Sequence, residues 1–294
     1  MTQHLRIVAP HPGILGFYDG RVAGYRFMPG ANWVDDGALS LGIASYAIYD
    51  QADALVYDTH ITVAHGQAVR AELARRGVTR ITVVLSHWHK DHVAGTAAFA
   101  GCPVIANRRT AQHLITHKIA IEAGIAPPPI KPLILPDTVF DGQMRLQVGR
   151  IAVDLIAANI HSDDATVLWL ADRGILFAGD TVEDCCTYLC EPAGIPTHLA
   201  DLDRLAALMP RHVLPNHGSF ARIAAGGYGP QILAATQRYL RWLQDAANDP
   251  ELAAQPLQQV IAADLDAGIL DWFAPYTAVH AQNLQLLHDV GTVG

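Results

Sequence analysis

At 294 residues, with 51% hydrophobic and 16% charged residues, the chain can bury a substantial core, which excludes a disordered protein. No run of 18 or more uninterrupted apolar residues occurs, so the sequence offers no membrane span. A formal charge of −8, three lysines beside 17 arginines and the absence of any basic cluster exclude a polyanion such as nucleic acid as a natural partner.

The N-terminal residues Met1 to Arg6 lack a charged-then-apolar leader, so a cytoplasmic location is expected. Residues 1–40 are rich in proline and glycine and read as turns joining short strands. Residues 45–49 and 54–57 form a hairpin across 50–53. From 62 to 76 the apolar positions Val63, Ala64, Ala68, Val69 and Leu73 fall at helical spacing, and Gly77 ends that helix. The apolar strand 81–85 follows. Helices are expected at 97–100 and 110–119, and the proline-rich 126–132 must be extended. Strands resume at 138–146, 151–157, 165–171 and 174–178, and a helix at 202–209 precedes one more strand. Beyond the break at 226–230, helices are expected at 231–244, 252–265 and 276–290. The cluster Trp272, Phe273, Pro275 and Tyr276 reads as core, and His280 and Asn283 share a helical face with a solvated or capping role. Strand-rich and helical segments alternate in two similar halves. That pattern suits an α/β fold, a four-layer αββα sandwich over residues 1–225, with a helical extension at 226–294.

The densest chemistry follows the strand 81–85. Ser86-His87-Trp88-His89-Lys90-Asp91-His92 places three imidazoles and a carboxylate within six residues, and these donors suit zinc or iron. A histidine-rich surface loop is the bland alternative. Further donors stand where other strands end: His161 after 151–156, Asp180 after 175–179, and His217 after 212–216. Singly, each reads as a surface histidine or a turn-forming aspartate. Together they supply a second set of ligands on loops that a sheet holds rigid. The cysteines Cys185, Cys186 and Cys190 match no standard zinc spacing and read as structural or pocket-lining.

In this order of motifs the chain resembles the metallo-β-lactamase superfamily across residues 40 to 220: Asp58 after an early strand, then His87, His89, Asp91 and His92, then His161, Asp180 and His217. The resemblance implies that His87, His89 and His161 bind one metal ion, that Asp91, His92 and His217 bind a second, and that Asp180 bridges them. It also implies that Asp58 orients the metal loop by hydrogen bonds. Two features depart from the pattern. His161 is followed by Ser162-Asp163-Asp164 instead of Thr-Pro-Gly-His, and the bridging position is Asp180, not the cysteine of many true β-lactamases, which argues against antibiotic hydrolysis.

Two metal ions about 3.5–4 Å apart can hold a hydroxide at neutral pH, so the implied reaction is hydrolysis of an ester, lactone, thioester or amide. Asp91 would accept the proton and Asp180 would fix the pair. Zinc suits the donors best, with iron and manganese open. Trp33, Trp88, Tyr188 and Leu189 are the candidate pocket residues, favouring a small, partly apolar substrate. The helical extension would supply a pocket wall, a homodimer contact, or both. Two other readings stay open: a mononuclear iron dioxygenase acting on a thiol or persulfide, and a metal-binding sensor with weak turnover.

Overall fold

A computed structural model of the chain describes residues 2–291. The first half builds a seven-stranded sheet in the order β1 (Arg6–His11), β2 (Ile14–Asp19), β3 (Ile43–Asp50), β4 (Asp53–Tyr57), β5 (Arg80–Val84), β6 (Val104–Asn107) and β7 (Thr138–Phe140). Strands β1 to β4 pair antiparallel, and β4 to β7 run parallel. Parallel strands need crossovers, supplied by α1 (Val63–Arg75), the short α2 (Lys90–Val93) and α3 (Arg108–Ala123). The second half builds a five-stranded sheet from β8 (Gln143–Val148), β9 (Ile151–Ile160), β10 (Ser162–Leu170), β11 (Ile175–Gly179) and β12 (His212–Pro215). Helix α4 (Ile195–Ala206) carries the chain from β11 to its parallel neighbour β12.

The strand period of two sorts the core into layers. Ile14, Tyr18, Tyr46, Ile48, Leu55 and Tyr57 point from the first sheet toward the second, where Leu155, Val167 and Phe177 meet them. Their neighbours Leu15, Phe17, Ala47, Val56 and Val83 point the other way, onto Val69 and Leu73 of α1 and Leu114 of α3. Helix α4 covers the far side of the second sheet, against β9. The result is the four-layer αββα sandwich. Two tyrosines stitch its sheets together: the hydroxyls of Tyr46 and Tyr57 donate to the carbonyls of Pro215 and Thr166, each at 2.5 Å. Beyond β12 come α5 (Phe220–Ala224), α6 (Gln231–Ala246), α7 (Pro250–Ala253), α8 (Leu257–Val260), α9 (Ala262–Asp266) and α10 (Tyr276–Gly291). Their residues Leu233, Leu240, Leu257 and Tyr276 belong to the same apolar core as the second sheet. Among the described residues no helix is long and apolar enough to cross a membrane.

Several expectations change in the structure. Residues 34–39 are helical, not turns between strands, because Asn32 and Asp35 capture nearby backbone N–H groups, Asp35 accepting from Phe27 and Met28 at 2.7 and 3.1 Å. The run 138–146 is two strands: Gly142, at φ +64°, turns the chain out of the first sheet at β7 and into the second at β8. Residues 97–100 hold only a 3₁₀ turn, Thr96–Phe99. The helix expected at 202–209 starts at Ile195 and ends at Ala206, with Met209 at φ +55°. The region 252–265 breaks into short helices because Pro256 cannot continue α7 and instead precedes α8.

Gly95 shows how tightly the histidine loop is seated. Thr59 donates to the carbonyl of His92 through both its N–H (2.7 Å) and its hydroxyl (2.9 Å), and Gly95 N–H donates to His60 (3.0 Å). A Cβ at Gly95 would run into the carbonyl of Thr59. Gly95→Ala is therefore expected to lower the unfolding free energy by about 3 kcal/mol, measured by urea denaturation. An unchanged midpoint would contradict this close packing.

Candidate metal centre

Most donors singled out in the sequence stand just past a strand, and Asp91 and His92 lie in α2. His87 follows β5, Asp58 follows β4, Asp180 follows β11 and His217 follows β12, while His161 is the single residue between β9 and β10, at φ +70°. The two sheets bring these ends together. His87 Nε2 and His161 Nε2 lie 2.9 and 3.0 Å from His89 Nδ1. Asp180 Oδ2 sits at the hub, 3.1 Å from His92 Nε2, 3.4 Å from His217 Nε2, 3.6 Å from His87 Nε2 and 3.8 Å from His161 Nε2. Asp91 approaches His217 Nε2 at 3.3 Å and His92 Nε2 at 3.6 Å. The donors thus fall into overlapping sets: His87 with His89 and His161, His87 with His92 and Asp180, and Asp91 with His92 and His217.

The outward nitrogens explain which atom of each ring faces inward. His161 Nδ1 donates to the carbonyl of Tyr188 (2.9 Å) and His217 Nδ1 to that of Gly42 (2.7 Å), which turns both Nε2 atoms toward the cluster. His87 Nδ1 meets Ser86 Oγ at 2.9 Å. Asp58 is not in the cluster but behind it. Its Oδ2 meets His92 Nδ1 at 2.9 Å and accepts from Asn216 at 2.6 Å, and its Oδ1 accepts from Ser86 N–H at 2.7 Å. Trp88 N–H is fixed by Asp164 (2.9 Å).

The titration of the cluster follows from burial and charge. Burial pushes His87 well below the ordinary histidine value, and brings His89 down to about 3. Burial acts the same way on His92 and His217, but the carboxylates around them, Asp180 first, outweigh it and hold both well above that value. Asp180 and Asp91 are lowered despite burial, because His92 and His217 stabilise their ionised forms. Glu183, buried beside Asp180, is raised to about 7 by desolvation.

This arrangement fits divalent cations. His87 Nε2 and His161 Nε2 converge on His89 Nδ1 at 2.9 and 3.0 Å, a donor type suited to such ions, and Asp180 Oδ1 is buried without a hydrogen-bond partner among the described residues. A cavity of about 630 Å³ opens onto the cluster. Trp33, Trp88 and Tyr188 line it, as does the α10 turn at Ala278 and Val279, and Lys90 is the cationic side chain on its wall. Leu189 is fully buried in the core and takes no part in this wall. Glu183, which does line it, and Asn216, which braces Asp58, escaped the sequence reading: neither stands in a motif, and only the folded loops bring them to the site. His280 and Asn283 are buried, not solvated.

The sequence profile of the metallo-β-lactamase superfamily matches residues 41–221, more than half of the chain. Among solved structures, similar folds include the DIM-1 metallo-β-lactamase (19% identical, covering 81% of this chain and 97% of that one, TM-score 0.61). Another is a metallo-β-lactamase from Pontibacter korlensis (18%, 81% and 99%, TM-score 0.60). A third is FIM-1 from Pseudomonas aeruginosa (15%, 81% and 95%, TM-score 0.59). At such identities the likeness speaks for the fold alone. A hydroxyacylglutathione hydrolase from Rhodobacter capsulatus is 32% identical over 133 residues, and the match spans 44% of this chain and 44% of that relative's length. On the profile match and the shared sandwich, this chain belongs to the metallo-β-lactamase superfamily.

Proposed function

We propose that the chain is a metal-dependent hydrolase that holds two divalent cations, zinc by preference, and cleaves an ester, lactone, thioester or amide bond of a small, partly apolar substrate. The observation that carries this reading is the convergence of His87 Nε2, His89 Nδ1 and His161 Nε2 beside Asp180 Oδ2. His87, His89 and His161 would hold one cation and Asp91, His92 and His217 the other, with Asp180 between them. When bound, such a pair supplies a nucleophile at neutral pH and polarises the carbonyl under attack. The chain's own groups do the rest. Asp91, on the cavity side, is the carboxylate placed to receive a proton. Trp33, Trp88, Tyr188 and Val279 exclude water and seat the apolar part of the substrate. One likeness supports the reading: the relative from Rhodobacter capsulatus, matched over part of its length, is a hydroxyacylglutathione hydrolase. A mononuclear iron dioxygenase is the competing reading.

Metal analysis of protein purified without added metal tests the proposal. Near two zinc ions per chain, with turnover of an ester, lactone and thioester panel, is the expected result. One iron per chain would favour the dioxygenase, and a chain that takes up no metal would defeat both readings. His87→Ala and Asp180→Ala are expected to lose metal and to lower kcat/KM by more than about 100-fold. Asp58→Asn, which touches the cluster only through His92, should cost about 10–100-fold, and Cys186→Ala, in the core, should change neither.

The raised histidines set the pH dependence. In the metal-free chain the contacts of His92 and His217 with Asp180 and Asp91 add stability that is complete below the ordinary value of 6.5 and is lost as pH rises through the raised values. Cation binding needs both rings deprotonated. Zinc added at neutral pH should therefore release protons, and its affinity should tighten as pH rises, measured by an indicator dye in weak buffer and by chelator competition. Uptake without proton release would contradict this charge state.

A further inference from the structure

Four of the five clustered imidazoles rest their outward nitrogen on an oxygen: Ser86 Oγ, Asp58 Oδ2, the Tyr188 carbonyl and the Gly42 carbonyl. His89 is the exception. It turns Nδ1 inward, and its outward Nε2 meets Cys190 Sγ at 3.7 Å. The partners of His161 and His89, both in the three-histidine set, therefore come from one stretch, residues 187–190, which has no regular secondary structure. A segment without its own hydrogen-bond ladder needs something else to hold it.

The C-terminal helices supply that support. Asn283 of α10 is fully buried, and its side chain grips the stretch at two backbone points, Oδ1 accepting from Leu189 N–H (2.8 Å) and Nδ2 donating to the Thr187 carbonyl (3.0 Å). The same Nδ2 donates to Tyr239 Oη of α6 (3.1 Å). Nearby, Tyr276 Oη donates to Glu183 Oε2 (3.0 Å), and Glu183 Oε1 accepts from Tyr188 N–H (3.0 Å). Cys190 N–H closes the stretch by donating to the His161 carbonyl (3.0 Å). A buried side-chain amide with three partners at 2.8–3.1 Å is far more specific than packing requires.

We propose that Asn283 and Cys190 are positioning residues for the three-histidine cation site: Asn283 fixes the backbone whose Tyr188 carbonyl orients His161, and Cys190 accepts the Nε2–H of His89 that leaves Nδ1 facing the cation. The inference rests on the metal reading above. It makes the C-terminal helices part of the metal centre, not a separable appendage. Groups that orient a metal-bound histidine are worth about 10–100-fold in metal affinity.

Zinc stoichiometry and stepwise affinity, by chelator competition on the whole chain, test this in the unmodified protein and in Asn283→Ala, Cys190→Ala, Cys190→Ser and, as a control for lost core packing, Leu73→Ala in the opposite layer. Asn283→Ala and Cys190→Ala should weaken one of the two ions about tenfold or more and leave the other. Cys190→Ser, which restores an acceptor, should recover most of the loss, and Leu73→Ala should lower the Tm without selecting between ions. If Asn283→Ala does not fold, Asn283→Asp, which keeps the acceptor for Leu189 and loses the donor to Thr187, carries the same expectation. Unchanged affinities in the Asn283 and Cys190 variants, or equal weakening of both ions, would overturn the proposal. So would a thiolate-to-cobalt charge-transfer band in the cobalt-loaded protein that vanishes in Cys190→Ala, since the thiol would then be a ligand. An unmodified chain that binds no zinc would overturn the metal reading as well, which separates the two failures.

Discussion

Everything at this site follows from holding polar groups together where water is excluded. Four imidazole nitrogens are crowded around Asp180 Oδ2 at 3.1–3.8 Å, buried from water that would otherwise separate them. A free peptide with the same residues would turn these groups apart. The fold prevents that from behind: each ring is gripped at its outward nitrogen, so that the inward atom has nowhere else to point. The sandwich places the donors, and the hydrogen bonds behind them decide what they present.

Those outer bonds are distributed unevenly. The first sheet braces its own loop, since Asp58 just past β4 holds both Ser86, just past β5, and His92 in α2. Among the described residues the second sheet offers no such internal brace for His161. Its partner is a carbonyl in a loop that relies on α6 and α10. The cavity wall shows the same dependence, because Val279 and Ala278 of α10 line it together with Trp88 and Tyr188.

Much of this was legible in the sequence because the information is local. The His87–His92 segment, the strand ahead of it and the helical spacing of 62–76 each occupy a few consecutive residues, and a period of 2 or 3.6 needs no tertiary context. The positions of His161, Asp180 and His217 after apolar strands were readable for the same reason. What escaped is non-local. Asn216 matters because it reaches Asp58, 158 positions away, and Asn283 because it reaches Leu189, 94 positions away; on α10 it shows only as a polar residue on a mixed helix. Leu189 misleads through adjacency, since its neighbour Tyr188 lines the cavity while Leu189 turns into the core. The switch at Gly142 was hidden because two strands in different sheets look continuous when only a two-residue turn parts them.

The division of donors between the sheets has one more consequence. His87, His89, Asp91 and His92 hang from the first half of the chain, and His161, Asp180 and His217 from the second, so a cation held among them would touch residues up to 130 positions apart only after both halves have docked. The unfolded chain offers no comparable cage. Free cation at about 1,000 times its dissociation constant would then add roughly 4 kcal/mol to the unfolding free energy, a large share of what holds an ordinary domain together. The ion would serve as a rivet between the two halves, and the cell's supply of it would govern how long the protein lasts as well as how fast it works.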